Sequence, residues 1–365
     1  SLLLLTQNTG DAVIIESDDL TVIAIHVADG TLDLRGEDLT VTGSVAAKDM
    51  TVSAGGWVAT IGSGVLISGR LSVTALAGMN LSTVVDEITA QVTGPGNLVI
   101  READSVVLKD VSTADGSISV FAGGTITAIH VASQNDHDEN DISLSTSGGD
   151  ILVGNILAGV QGDMVLTAAG AIVDLGTMIT ADELSATATG PITIVTTVRV
   201  LATTSNGTIT VTETDSIERL GVQAAGGDVR VTSGGNITVT GIISALGRIE
   251  LLAAGAIEAA SGSLVTASLL EASANSGIDL NTQVQEATLE ITGTGDLRIV
   301  EVDAIALSDI SIPNGSVEIS AGGNLTVGTV KSLTDKDDND IVLGSTSGTL
   351  LINEVNAGML GDVLL

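Results

Sequence analysis

Short runs of alternating apolar and polar residues recur along the whole chain. Runs such as AVIIES, LTVTG, SISVF and ITVT place apolar, mostly β-branched residues at every second position, which is the period of a half-buried β-strand. Gly-Gly, Asn-Gly, Asp-Gly and Ser-Gly pairs separate these runs and are typical of turns. Almost no segment shows a helical period. The pattern therefore predicts an all-β fold made of many short strands.

A long internal repeat organises these strands. Residues 92–166 align without a gap on residues 291–365, a shift of 199 residues, with 31 identities in 75 positions. A weaker half-period suggests four approximate units, 1–91, 92–204, 205–290 and 291–365. Repetition of this kind is the sequence signature of stacked repeat proteins. We therefore expect one continuous repeat solenoid over residues 1–365, in which the super-repeat is truncated at both ends.

Composition favours a solenoid over an array of globular domains. Aromatic residues are 1% of the chain, with Trp57 and Phe121 as its two aromatics, whereas Gly occurs 44 times. An immunoglobulin-like sandwich relies on a large buried aromatic in each domain, whereas stacked turns can bury columns of Val, Ile and Leu. The prediction is a right-handed parallel β-helix with turns of about 20–25 residues. Tandem β-sandwich domains are the alternative.

The net charge limits the classes of partner. With 12 Lys and Arg against 45 Asp and Glu, the formal charge is −33, which repels nucleic acid and anionic membranes. No stretch is apolar for the roughly 18 residues that a membrane-spanning helix needs. We therefore expect neither a nucleic-acid partner nor membrane insertion of this segment. No polar, Pro-rich cap occurs at either end of the sequence, so association with copies of itself is predicted.

Several runs resemble a known group of proteins. GDMVLTAAGAIVD (162–174), GRIELLAAGAIEA (247–259) and GDVRVTSGGNITVTG (227–241) are similar to the repeats of filamentous-haemagglutinin-like bacterial surface proteins and giant adhesins. The resemblance covers most of the chain. It implies export to the cell surface, a β-helical shaft, and a role in adhesion or in building an extracellular layer. The expected function is that of a structural or adhesive segment of a very large secreted bacterial protein. The receptor or glycan that it would contact is unknown.

Two acidic runs are the candidate metal sites. SQNDHDENDI (133–142) and TDKDDNDI (334–341) place oxygen-bearing side chains at alternate positions, as calcium-binding loops do. The EF-hand pattern is incomplete, because its sixth position is Asp instead of Gly and its twelfth is Ser147 or Thr346. The competing interpretation is a solvated loop with turn-forming Asp residues. The predicted Ca²⁺ ligands are Asp136, Asp138, Asn140, Asp141, Asp335, Asp337, Asn339 and Asp340.

Catalysis is not expected. A β-helix enzyme acting on polysaccharide is an alternative function, since such enzymes use paired carboxylates. Glu102 with Asp104, and Glu301 with Asp303, are alternating carboxylates that would share a strand face, and solvent-exposed decoration explains them equally well. Scattered basic residues and equivalent loops in each repeat argue against a unique active site.

Ice or mineral binding by ladders of threonines is a further alternative function. The run TITVT (208–212) and the pair Thr187 and Thr189 suggest such ladders, but these stretches are not expected to recur in adjacent turns. His26 and His130 lie in equivalent AIHVA runs, which indicates a shared structural place. His137 has Lys336 as its counterpart, which argues against a required metal-binding imidazole.

Overall fold

The computed structural model describes residues 2–6 and 10–365. Every regular element in these ranges is a β-strand, and no helix forms among them. The chain forms two compact units, Ser1–Gly190 and Pro191–Leu365. Each unit is a parallel β-solenoid, and about 18 turns are formed in all. The predicted all-β fold is confirmed.

The described residues of the first unit form twenty strands. They are β1 Leu2–Thr6, β2 Ala12–Ile15, β3 Leu20–Val27, β4 Thr31–Gly36, β5 Leu39–Val41, β6 Ser44–Ala46, β7 Asp49–Ala54, β8 Trp57–Thr60, β9 Val65–Ala75, β10 Gly78–Pro95, β11 Leu98–Glu102, β12 Val106–Asp115, β13 Ile118–Ala122, β14 Ile126–Ser133, β15 Ile142–Thr146, β16 Ile151–Leu157, β17 Met164–Ala168, β18 Ile172–Asp174, β19 Ile179–Thr180 and β20 Glu183–Ala188.

The second unit contains eighteen strands. They are β21 Ile192–Thr197, β22 Val200–Ser205, β23 Ile209–Glu213, β24 Ile217–Ala224, β25 Val229–Ser233, β26 Ile237–Ala245, β27 Arg248–Ala253, β28 Ile257–Ala259, β29 Leu264–Ala274, β30 Ile278–Ile291, β31 Leu297–Glu301, β32 Ile305–Leu307, β33 Ile310–Ile312, β34 Val317–Ala321, β35 Leu325–Ser332, β36 Ile341–Ser345, β37 Leu350–Asn356 and β38 Val363–Leu364.

Strands stack in parallel register from one turn to the next. In the first unit Ile118 pairs with Leu98 on one side and Ile142 on the other, which are 20 and 24 residues away. In the second unit Val317 pairs with Leu297 and Ile341, at the same spacings. The predicted length of about 20–25 residues holds for these turns, whereas Thr83 pairs with Leu66 and Thr282 with Val265 at a spacing of 17 residues. Because these ladders are parallel, the alternative of antiparallel β-sandwich domains is wrong.

Each turn has more than one straight side. Strand β16 pairs with both β18 and β19 of the following turn. In the second unit β26 likewise pairs with both β28 and β29. One long strand that bends at a corner thus pairs with two shorter strands of the following turn, which are separated by a short connection. The corners between the sides are where backbone groups leave the regular ladder.

The core consists of columns of aliphatic side chains that run from turn to turn. Leu98, Ile118, Ile142, Met164 and Leu184 are paired in register, and none is more than 1% exposed. Along each strand, outward-facing positions alternate with buried ones, as the period-2 pattern predicts. Each fully buried aliphatic side chain contributes roughly 1.5–3 kcal/mol to folding. Many thin layers therefore replace the aromatic core that the composition lacks.

The acidic runs leave the solenoid at equivalent places. Residues 134–141 join β14 to β15, and residues 333–340 join β35 to β36. Both follow a strand of the same length and precede a strand that begins a new turn. The equivalence that the 199-residue repeat predicts is therefore present in the fold. The right-handed sense of the helix, and its continuity over the four approximate sequence units, stay predictions.

Candidate functional site

Each acidic loop is held closed by a buried asparagine. Asn140 is 5% exposed, and its Nδ2 donates to Asp115 Oδ1 and to the main-chain oxygen of Asn135, both at 2.9 Å. Its counterpart Asn339 is 4% exposed and donates from Nδ2 to the main-chain oxygen of Thr334 at 2.7 Å. Both amide groups bridge the start of the loop to its end. They are structural anchors of the two loops.

The first carboxylate of each loop binds the next turn. Asp136 Oδ1 accepts a hydrogen bond from Gln161 N at 2.9 Å. Asp335 Oδ1 accepts two, from Met359 N at 2.8 Å and Leu360 N at 2.9 Å. Asp136 lies against Gly159, where an added Cβ would come within 2.3 Å of Oδ1. The chain after β16 therefore folds tightly around this carboxylate.

The last carboxylate of each loop starts the next strand. The main-chain oxygen of Asp141 accepts a hydrogen bond from Ile118 N at 2.8 Å, and its Oδ1 accepts one from Asp163 N at 3.0 Å. Asp340 makes the equivalent side-chain bond with Asp362 N at 2.9 Å. Both residues thus connect three consecutive turns. The interpretation of Asp141 and Asp340 as turn residues agrees with this geometry.

Asp138 and Asp337 lie at the exposed parts of their loops. In the described ranges no group of three or more His, Asp or Glu side chains lies close enough together to hold a metal ion. A Ca²⁺ ion at either loop would have to combine Asp138 or Asp337 with main-chain carbonyls and with the second oxygen of Asp136 or Asp335. Calcium binding by the eight predicted ligands stays a prediction.

The amide anchor also affects a nearby acid. Hydrogen bonds from Asn140 and then Asn135 lower the pKa of Asp115 below its ordinary value, because they stabilise the ionised carboxylate. Glycine follows this residue, and a Cβ on Gly116 would lie 2.2 Å from the main-chain oxygen of Gly96. The Asp-Gly pair therefore combines a hydrogen-bond acceptor with a close approach of two turns.

Many other acidic side chains have the same structural role. At a corner the main-chain N–H points towards the preceding turn, and a side-chain oxygen from that turn accepts it. Asp38 accepts Trp57 N at 2.8 Å, and Asp150 accepts Ala171 N at 2.7 Å. The side chains that accept an N–H one turn later include Asp11, Asp19, Asn97, Asp163, Asp228, Asn236, Asp296, Asp309 and Asn324. Much of the acidity thus joins one turn to the next.

Three glutamates form a second kind of site, and the sequence pattern had drawn attention to two of them without indicating their burial. Glu102, Glu213 and Glu301 are the last residues of β11, β23 and β31, and they are 2%, 1% and 3% exposed. The expectation that Glu102 and Glu301 decorate a solvent-exposed face is therefore wrong. The alternation itself carried the signal, since Glu102 falls on the same side of its strand as Leu98 and Ile100.

The Glu213 carboxylate accepts hydrogen bonds from two turns. Its Oε2 accepts Thr196 Oγ1 at 2.8 Å and Val198 N at 3.0 Å, both from the preceding turn. Its Oε1 accepts Thr214 N at 2.8 Å and Asp215 N at 3.3 Å, both from its own turn. The carboxylate adds to the main-chain ladder at this corner, where Thr214 N also donates to the main-chain oxygen of Thr196 at 3.0 Å. We call this arrangement a Glu-x-Asp corner, because an Asp follows two residues after the Glu.

The other two corners repeat the arrangement. Glu301 Oε2 accepts Thr282 Oγ1 at 2.8 Å and Val284 N at 3.1 Å. Glu102 Oε2 accepts Val85 N at 3.1 Å. The hydroxyl of Thr83 faces the Glu102 carboxyl but lacks a hydrogen-bond partner there. A Thr-x-Val sequence one turn before Glu-x-Asp marks all three corners.

Burial raises the pKa of all three glutamates, although the hydrogen-bond donors oppose it. For Glu213 the pKa rises to about 7. The carboxyl group of the Asp in each corner lies within hydrogen-bonding reach of the Glu and raises the pKa further. Burial therefore makes each of these three carboxyl groups easier to protonate than an ordinary glutamate.

The threonine runs form only short ladders. Thr210 pairs with Thr193 and then with Arg230, while Thr212 pairs with Val195 and Thr232. These two threonine columns are therefore interrupted after two adjacent turns, and the column through Thr187 contains Thr167 and Ser145 in the two turns before it. A regular array for ice or mineral binding requires longer uninterrupted columns, so this geometry does not favour that function.

Two histidines of the first unit lie in strands, and their structural equivalence stays a prediction. His26 lies in β3 and His130 lies in β14. His130 Nδ1 is 3.2 Å from Asn155 Nδ2, and its Nε2 is 3.9 Å from Asp110 Oδ1. His130 is thus one member of a polar column on the surface of the first unit.

Comparison with known protein families, curated proteins and solved structures finds no match to this chain. In residues 2–6 and 10–365 there is also no helix long and apolar enough to cross a membrane. The parallel stack of turns identifies the chain as a β-helix repeat protein by its fold.

Proposed function

We propose that this chain is a non-enzymatic structural or adhesive segment of a large secreted bacterial surface protein. The observation that supports this best is the use of polar side chains. Asp, Asn and Glu residues along both units accept N–H groups of neighbouring turns. Such side chains reinforce a repetitive scaffold. The resemblance of its runs to filamentous-haemagglutinin-like repeats adds the expectation of a cell-surface location.

Surface exposure and polypeptide size test this proposal together. An antibody raised against the 365-residue chain is applied to intact cells before and after treatment with an external protease, and the released antigen is sized. The expected result is loss of the antigen from intact cells and a polypeptide much larger than 36.3 kDa. An antigen of about that mass that is protected inside the cell would overturn the proposal.

Adhesion is tested separately from location. A strain in which this segment is deleted in frame is compared with its parent for attachment to surfaces and for cohesion between cells. Reduced attachment or cohesion with normal growth supports a structural or adhesive role. Unchanged behaviour in both assays, with the remainder of the protein still exported, contradicts it.

Calcium binding is proposed for the two acidic loops. Bound Ca²⁺ would offset part of the −33 charge and let acidic copies of the chain approach one another, which supports self-association. The test is calorimetric titration of Ca²⁺ into the chain and into a variant carrying Asp136→Asn, Asp138→Asn, Asp335→Asn and Asp337→Asn. An amide oxygen at positions 136 and 335 can still accept the N–H bonds that these residues make, so the loops should remain folded.

The matched control changes four carboxylates outside the loops. Asp19, Asp150, Asp228 and Asp296 each accept an N–H of the next turn, and their change to Asn removes the same charge. We expect the loop variant to lose calcium binding and calcium-dependent association in sedimentation, while the control retains both. Equal calcium uptake by the two variants would show that the loops are not the site.

A further inference from the structure

The three Glu-x-Asp corners share an unusual electrostatic environment. Each Glu is at most 3% exposed and is surrounded by uncharged donors from the preceding turn. The largest influences on the pKa of Glu102, Glu213 and Glu301 are burial, hydrogen bonds from uncharged donors, and the neighbouring Asp side chain. A buried carboxylate without a cation is costly to keep ionised.

The titratable group that faces each buried Glu is another acid. Asp104, Asp215 and Asp303 have side chains within reach of Glu102, Glu213 and Glu301. On the other elements packed against the corners, the facing residues are uncharged. They are Thr83, Val85 and Ala122 at the first corner, Thr196, Val198 and Ser233 at the second, and Thr282, Val284 and Ala321 at the third.

Two acids in contact cannot both ionise without repulsion, but one proton turns the repulsion into a hydrogen bond. We propose that each Glu-x-Asp corner binds one proton shared between the buried Glu and its Asp, so that the solenoid is more stable in mildly acidic than in alkaline medium. The proton comes from the solvent, and its binding changes no other bond. The corner then links two turns through a neutral carboxyl and a carboxylate.

The sign of the effect follows from the folded-state pKa. Burial raises the pKa of Glu213 from 4.5 to about 7, so the folded chain binds more protons than the unfolded chain between these values. The stabilisation is fully present below pH 4.5 and is lost as the pH rises through about 7. The pKa values of Glu102 and Glu301 are raised in the same direction and for the same first cause, burial.

The experiment compares the full chain with Glu213→Gln and with a matched control, Glu258→Gln. Glu258 is an exposed residue of β28, so the control removes the same charge outside any corner. Glu213→Gln removes the titrating group, and its amide oxygen can keep one of the two sets of hydrogen bonds that the carboxylate accepts. We expect the melting temperature of the wild type and of the control to fall between pH 5 and pH 8, and the fall to be smaller in Glu213→Gln.

A direct titration keeps the test decisive if Glu213→Gln does not fold. The ¹³C carboxyl signals of the glutamates are followed with pH in the wild type and in Asp215→Asn, which removes the second acid but leaves the buried Glu in place. We expect a wild-type signal with a midpoint near 7 that moves towards 4.5 in Asp215→Asn. Fully ionised glutamates above pH 5.5, or a midpoint that Asp215→Asn leaves unchanged, would overturn the proposal.

Discussion

The Glu213 corner and the acidic loop at Asp136 use the same chemistry in two environments. Both carboxylates accept main-chain N–H groups of another turn, at 3.0 Å for Val198 and 2.9 Å for Gln161. Glu213 is 1% exposed, whereas Asp136 is exposed to solvent. Water stabilises the charge in the loop, but in the corner the surrounding donors must do so alone. Keeping a carboxylate ionised therefore costs more free energy at the corner than in the loop. Removing the corner carboxylate should also destabilise the fold more than removing the loop carboxylate.

The largest expected effect is at a corner. Glu301→Ala leaves the N–H groups of Val284 and Asp303 and the hydroxyl of Thr282 without an acceptor in a buried place. We expect a loss on the order of 3 kcal/mol in unfolding free energy. Urea unfolding at constant pH measures it, with Glu258→Ala as the exposed control. If both variants unfold at the same urea concentration, the corner is not a structural bridge.

A solvated acceptor should matter less. Asp150→Ala removes the acceptor of Ala171 N, and we expect a loss of about 1 kcal/mol. Asp150→Asn should remain close to the wild type, because Asn236 makes the equivalent bond with Ala256 N at 2.9 Å. Hydrogen exchange at the Ala171 amide is the measurement. Equal hydrogen-exchange rates at Ala171 in Asp150→Ala and in the wild type would mean that this N–H bonds to water with no loss of stability.

Surface ion pairs should contribute least. Arg298 lies between Asp279 at 3.0 Å and Glu318 at 3.5 Å, and its side chain is 44% exposed. We expect Arg298→Ala to cost less than about 0.5 kcal/mol and to cost nothing measurable at high salt, since solvent and ions screen such pairs. Urea unfolding at low and high salt checks this. A loss of unfolding free energy as large as that of Glu301→Ala would show that charge pairing, and not burial of an acceptor, causes the difference between the corner and the acidic loop.

Much of the fold could be predicted because its causes are local or repetitive. Alternation of apolar residues in runs such as Ile118–Ala122 follows from one buried strand face, and the Gly-rich pairs mark the corners. The 199-residue repeat also placed the two acidic loops at equivalent positions. Spacing of the Asp residues predicted calcium ligands, which stays a prediction, whereas the competing interpretation of the loops gave Asp141 and Asp340 turn roles. The spacing did not reveal that loop side chains such as Asp136, Asn140 and Asp335 bond to neighbouring turns.

The sequence by itself determined the strand period, the turn length and the stacked-repeat class, because each depends on residues close together or on self-similarity. Only the tertiary structure decided which acids are buried. Glu213 and its donors Thr196 and Val198 are 17 and 15 residues apart in the chain and meet only when one turn stacks on another. Whether a carboxylate has water or a protein donor beside it is set by that stacking, and so is its pKa.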